Sequence, residues 1–232
     1  MSTAVQAAAV NSRNWSTEIA VTAMAAAGVS AAGYAALHSK ISNPMEALAL
    51  LVVTLIASRF KVKLPGVTGS MSVNLPFILL AAGRLSMVEA VGIGCLAGLV
   101  QSYPSKNGFQ VSKVLFNTAN LAVTLVLTCA AIAKVSGNPA MTGLALMFGG
   151  LVYMVCNTLP VAGVIKATEG TSFTSVWMSI LQMTFPYFAL SATLATVAFG
   201  MSDRLAWQLA AAMLPIMVLV WNSYRGYFKT TK

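Results

Sequence analysis

The sequence predicts an all-α integral membrane protein, a compact bundle of about seven to eight membrane segments. Three observations predict it. Apolar residues make up 58% of the 232 positions and charged residues only 8%. Mean hydropathy is +0.80. The apolar residues also fall in stretches punctuated by Pro, Gly, Asn and charge, the pattern of successive helices. A soluble domain carries about a quarter charged residues, so the bilayer must replace water as solvent for most of this exterior.

The elements follow in order. A first helix is expected over Thr17–Leu37 and a second over Pro44–Ser58. Arg59 to Val73 (RFKVKLPGVTGSMSV) has three cations, turn residues and an alternation that suggests extended chain. Asn74–Gly83 (NLPFILLAAG) is a half-length helix, too short to span a bilayer, preceded by this Gly/Pro/Ser-rich segment. Ser86–Tyr103 follows, then a loop with Pro104, Lys106 and Gly108. Further helices are expected over Val111–Val135, Ala140–Lys166, Ser175–Gly200 and Arg204–Tyr224. These last four reach the span length of about 20 residues.

One polytopic domain over 15–224 is expected, between a cytoplasmic tail at 1–14 and a basic cytoplasmic tail at 225–232. Ala4 to Val10 is too short for a secretory h-region, so the first apolar stretch reads as an uncleaved signal anchor. Counting Asn74–Gly83 and Ser86–Tyr103 as two segments gives eight, with both termini on one side. Of the 14 Lys and Arg, that side carries all but Lys40, Lys134, Arg84 and Arg204. Counting the two segments as one gives seven and removes most of the asymmetry. The positive-inside rule thus favours eight segments and cytoplasmic termini, whereas the length of Asn74–Gly83 favours seven. The net charge of +9 is dispersed over helix ends, which argues for anionic headgroups and against nucleic acid.

Residues able to carry chemistry are few. Cys95, Cys129 and Cys156 lie inside apolar runs without metal-ligand spacing and read as packing residues. His38 is the only histidine and sits at a helix end. No metal and no cofactor is expected, and neither a phosphate loop nor a nucleophile elbow is present. Arg84 and Glu89 have two readings. They are a ligand-contacting pair, because an intramembrane carboxylate faces an interior, or an interfacial pair near a helix start, where the dipole favours an acid. Gly94 and Gly98 form a small-xxx-small pair that lets another helix come close. Asn-Thr recurs in LFNTANLAV (Leu115–Val123) and VCNTLPVAG (Val155–Gly163). Asn117, Asn120 and Asn157 are therefore either interhelical hydrogen-bonding groups or the polar lining of a small-molecule site. The expected site joins the short helix Asn74–Gly83, the loop before it and Glu89 in one polar cavity with Asn117 and Asn157 on the opposing wall; Arg84 and Asn120 are further candidate ligand contacts. Pro160, Pro186 and Pro215 lie inside or near helices and predict kinks; Pro186-Tyr187 beside Gln182 reads either as a cavity lining or as plain helix geometry. Trp15, Trp177, Trp207 and Trp221 fall near helix ends, as aromatic belts do.

The segments LPGVTGSMSVNLPFILLAAG, EAVGIGCLAGLVQSY, KVLFNTANLAV and LVYMVCNTLPVAGVIKATEGTSFTSVW resemble one family. It is the multi-helix membrane module found before GGDEF or HD-GYP output domains in bacterial cyclic-di-GMP signalling proteins. The resemblance covers about residues 45 to 200 and implies a bacterial inner-membrane sensor or ligand-binding module. The sequence stops where that output domain begins, which implies a stand-alone, non-enzymatic module working with a separate signalling or transport partner. A more distant likeness, to the substrate-binding subunits of energy-coupling-factor vitamin transporters, implies a transporter component instead. A membrane-embedded enzyme is the third class, disfavoured by the scarcity of His, Asp and Glu.

Overall fold

An apolar helix too short to span a bilayer needs protein around it, and the shortest helix of this chain lies at its centre. The computed structural model describes residues 3–65, 70–103, 110–137, 141–200 and 203–230. Among them are eight helices: α1 (Thr3–His38), α2 (Pro44–Ser58), α3 (Leu75–Arg84), α4 (Met87–Ser102), α5 (Val111–Val135), α6 (Thr142–Glu169), α7 (Phe173–Phe199) and α8 (Asp203–Thr230). Gly66 to Gly69 and the loop with Pro104, Lys106 and Gly108 lie outside the described residues.

Every side chain from Leu75 to Ala82 of α3 is buried. Apolar all round, α3 is a core helix with no lipid-facing stripe. It packs against α7, α4, α2, α5 and α6. Outside it, α5 lies against α1, α4 and α6, while α6 pairs with α7. Among the described residues four helices are long and apolar enough to cross a membrane: α1 over Trp15–His38, α5, α6 and α7. The helices α2, α3 and α4 are apolar but shorter.

The extended segment before α3 is a two-stranded antiparallel hairpin, β1 (Lys61–Lys63) and β2 (Ser70–Ser72), with Lys61 opposite Ser72 and Val62 opposite Met71. Its alternation buries Val62 and leaves Lys63 exposed. Helix bounds follow local chemistry. Asn43 caps α2 by accepting from the Glu46 backbone N–H at 3.2 Å, with Pro44 at the first helical position. α6 stops at Gly170, whose φ of 71° is left-handed. Both terminal helices run past the tail boundaries expected from hydropathy, with α1 starting at Thr3 and α8 reaching Thr230. At the N-terminus the reason is the Ala-rich run Ala4–Val10, which favours helix whether or not lipid surrounds it.

Close helix approach is set by glycines. A Cβ on Gly98 would stand 2.9 Å from the Thr118 Cα of α5. A Cβ on Gly28 of α1 would stand 2.5 Å from the Cβ of Ala119. Gly94 faces the Leu125 side chain one turn before Gly98. Helices α1 and α4 thus meet α5 on neighbouring residues, Ala119 and Thr118.

Candidate functional site

The polar residues singled out from the sequence fall into two places. Glu89 and Arg84 belong to the first. Ser86 and Glu89 form a capping box at the start of α4. The Glu89 carboxylate accepts from the Ser86 hydroxyl at 2.6 Å and backbone N–H at 3.0 Å, and from Ser42 Oγ at 2.8 Å and the Asn43 N–H at 3.1 Å. It thereby ties the α1–α2 connection to the α3–α4 connection. Arg84, at the C-terminal end of α3, forms an ion pair with Glu46 of α2 and lies 5.9 Å from the Phe199 ring centroid. The expected single cavity, with Glu89 on one wall and Asn117 and Asn157 on the opposing one, is corrected: the Glu89 carboxylate is satisfied by Ser86, Ser42 and Asn43 and does not line the cavity. Replacing Glu89 by Gln should lower stability by about 1.5–3 kcal/mol, the range for hydrogen bonds to a charged group. Thermal melts in detergent check this, and retention of any co-purified molecule should be unaffected.

The second place is a cavity of about 110 Å³ among β2, the start of α3, α6 and α7. Asn74 and Asn157 both line it, with Ser70, Ser72, Gln101, Tyr153, Thr158, Thr184 and Tyr187 as further polar residues. Leu121, Ile180 and Phe188 are among its apolar walls. No lining residue is charged. Asn120 stands one bond behind the wall. Its Nδ2 donates to the Oδ1 of Asn157 at 2.9 Å and to the Asn157 carbonyl at 3.1 Å. This contact falls beside Pro160, whose missing N–H deprives the Cys156 carbonyl of its helical donor. Asn117 lies elsewhere: it donates to Ser102 Oγ at 3.0 Å and holds α5 to the end of α4.

Tyr187 is the residue that sequence reading undervalued. Its hydroxyl accepts from the Leu75 N–H at 2.9 Å and donates to the Ser72 carbonyl at 3.1 Å. A phenol on α7 therefore satisfies the first N–H of α3 and fixes the hairpin to it, while Asn74 provides no side-chain cap. Asn74 instead donates through Nδ2 to Ser58 Oγ at 2.8 Å. Tyr153 was also passed over, although its spacing of four from Asn157 sets both on one face of α6.

The hairpin also reaches α8. Trp221 Nε1 donates to the Lys61 carbonyl at 2.9 Å, and its ring lies 5.5 Å from that of Phe60. Arg225 stacks over the same indole at 5.1 Å. Trp177 donates to Thr158 Oγ1 at 3.1 Å. Two tryptophans expected in an interfacial belt thus hold the cavity walls or the hairpin. Burial first, then the charges of Lys113 and Arg59, lower the Lys61 ammonium below its ordinary value. The three cysteines are free thiols, and no group of metal-ligating residues occurs among the described residues.

A bundle of apolar helices around an uncharged polar cavity, with a hairpin along one side of it, belongs among membrane modules. The comparison with protein families makes this specific. The chain belongs to the MASE9 family, whose model matches residues 19–221, a family of membrane-associated sensory domains. No curated protein matches the chain, and no solved structure matches it.

Proposed function

We propose that this chain is a small-molecule-binding sensory module of a bacterial inner membrane, non-enzymatic, with the cavity between β2, α3, α6 and α7 as its ligand site. The observation that carries the reading is the cavity itself. Polar groups at membrane depth cost free energy unless they serve packing or line an interior. Here Asn74, Tyr153, Asn157 and Tyr187 converge on one space. The lining supplies hydrogen bonds and apolar walls, without a carboxylate or an imidazole.

Sensing needs a path from the site to another surface. Tyr187 bonds Ser72, Ser72 pairs with Lys61 across the hairpin, and Lys61 accepts from Trp221 of α8. A ligand that moves Tyr187 or β2 therefore acts on α8 through contiguous hydrogen bonds. The same contacts support the cation count on topology, since the hairpin with Arg59, Lys61 and Lys63 lies beside the C-terminal half of α8. Both termini are then cytoplasmic.

The test is native mass spectrometry of the detergent-purified chain, looking for a bound small molecule. Asn157→Leu should remove that molecule while the protein stays folded. A molecule kept at full occupancy in the Leu variant would place the ligand elsewhere.

A further inference from the structure

We infer that the cavity selects an uncharged carboxamide-like ligand: a carbonyl oxygen that accepts two hydrogen bonds, an N–H that donates one, and a compact apolar body. This rests on the reading of the cavity as a ligand site and adds the chemical class.

The donors come from α6. Tyr153 is 3% exposed and lines the cavity. No hydrogen bond of its hydroxyl occurs among the described residues. A hydroxyl that lines a cavity without such a bond is open to a ligand. One turn on, the orientation of the Asn157 amide follows from its neighbour. Asn120 approaches both the backbone carbonyl and the side chain of Asn157 with one atom. That atom must be the NH2, because a carbonyl only accepts. The Asn157 atom it meets is then Oδ1, and the Asn157 NH2 remains without a partner among the described residues.

The acceptor comes from the start of α3. Ser58 Oγ donates to the Thr54 carbonyl at 2.7 Å. Its proton is therefore used, and it accepts from Asn74. The NH2 of Asn74 is fixed on Ser58, which leaves Oδ1 of this 3% exposed, cavity-lining residue as the acceptor. Two donors on one wall and an amide oxygen on another match a primary carboxamide.

Charge decides against the isosteres. A carboxylate would find donors but no cation, and would meet Asn74 Oδ1 with a lone pair. An amidinium would meet the Asn157 NH2, a donor, with donors of its own. Each would also lose hydration without a counter-charge, a large penalty in an uncharged site. The hairpin cations Arg59, Lys61 and Lys63 are not among the lining residues. Leu121, Ile180 and Phe188 suit a short apolar body. A cavity of about 150 Å³ holds benzene; this one, at about 110 Å³, admits a body smaller than benzene.

Propionamide, propionate and propionamidinium share one shape, are smaller than benzene and differ in charge. Each would be titrated into the detergent-purified chain, with melting temperature as the readout. Propionamide should raise it saturably and the two ions should not. Tyr153→Phe should stay folded and should bind propionamide roughly tenfold more weakly, one net hydrogen bond. Asn157→Leu should abolish the shift. A Tyr153-dependent shift with propionate or propionamidinium would overturn the ligand class and leave the ligand site standing. A propionamide shift unchanged in both variants, or no shift with any of the three, would also overturn the class. The ligand site itself answers to the co-purified molecule and its loss in Asn157→Leu.

Discussion

Arg84→Met should be the most destabilising single change outside the core. The guanidinium joins α3 to Glu46 of α2 and to the Phe199 ring of α7. Its side chain is 10% exposed and that of Glu46 19%. Removing one partner of a largely buried pair costs about 3–5 kcal/mol, and it would leave the Glu46 carboxylate with the Asn43 Nδ2 donor at 2.9 Å as its remaining side-chain partner. The lower part of that range applies, because water still reaches Glu46. Arg84 also sits in the last turn of α3, where a cation is favoured by the helix dipole. A double-mutant cycle measures the pair. Arg84→Met combined with Glu46→Gln should melt higher than Arg84→Met alone, because the stranded carboxylate is gone. Equal melting of the single variant and the wild type would show that the pair contributes nothing.

Gly98→Leu should destabilise the α4–α5 contact by about 1–3 kcal/mol, the usual range for overpacking. The neighbour is the backbone of Thr118, 2.9 Å from where a Cβ would sit. A side chain could rotate away; a helix backbone must translate. Since Asn117 next to it bonds Ser102 at the end of α4, the shift would strain that hydrogen bond as well. Gly92 is the internal control. A Cβ there meets nothing within 4 Å, so Gly92→Ala should melt like the wild type. A Gly98→Leu variant as stable as Gly92→Ala would mean that the two helices separate without loss.

Local chemistry made much of the fold legible. Val111–Val135 and Pro44–Ser58 have the same bounds in the structure as in the reading of apolar runs. The short helix after the Gly/Pro/Ser segment was also readable, since Pro and Gly punctuate a chain through their own φ restrictions. The site was readable only in part. Asn74, Asn120 and Asn157 were visible as rare amides in apolar surroundings, and the structure sets Asn74 and Asn157 on different walls of one cavity with Asn120 directly behind Asn157. Glu89 looked equally unusual and proved to be the capping residue of its own helix, a pattern that Ser86-x-x-Glu89 carries in the sequence. Tyr153 was hidden, and Tyr187 was legible only as a neighbour of Pro186, because a tyrosine among apolar residues gives no local sign of whether its hydroxyl meets lipid headgroups, a carbonyl or a cavity.

The sequence by itself determined the solvent, the helices and the turns, because hydropathy, periodicity and proline act over a few residues. Only the tertiary structure decided which polar groups share a space. Tyr187 meets Leu75 across 112 positions, and Trp221 meets Lys61 across 160. Such pairings depend on how closely helices approach, which glycine contacts such as Gly98 on Thr118 and Gly28 on Ala119 set. Close packing of whole helix faces is a property of pairs of surfaces, and one surface read alone does not contain its partner.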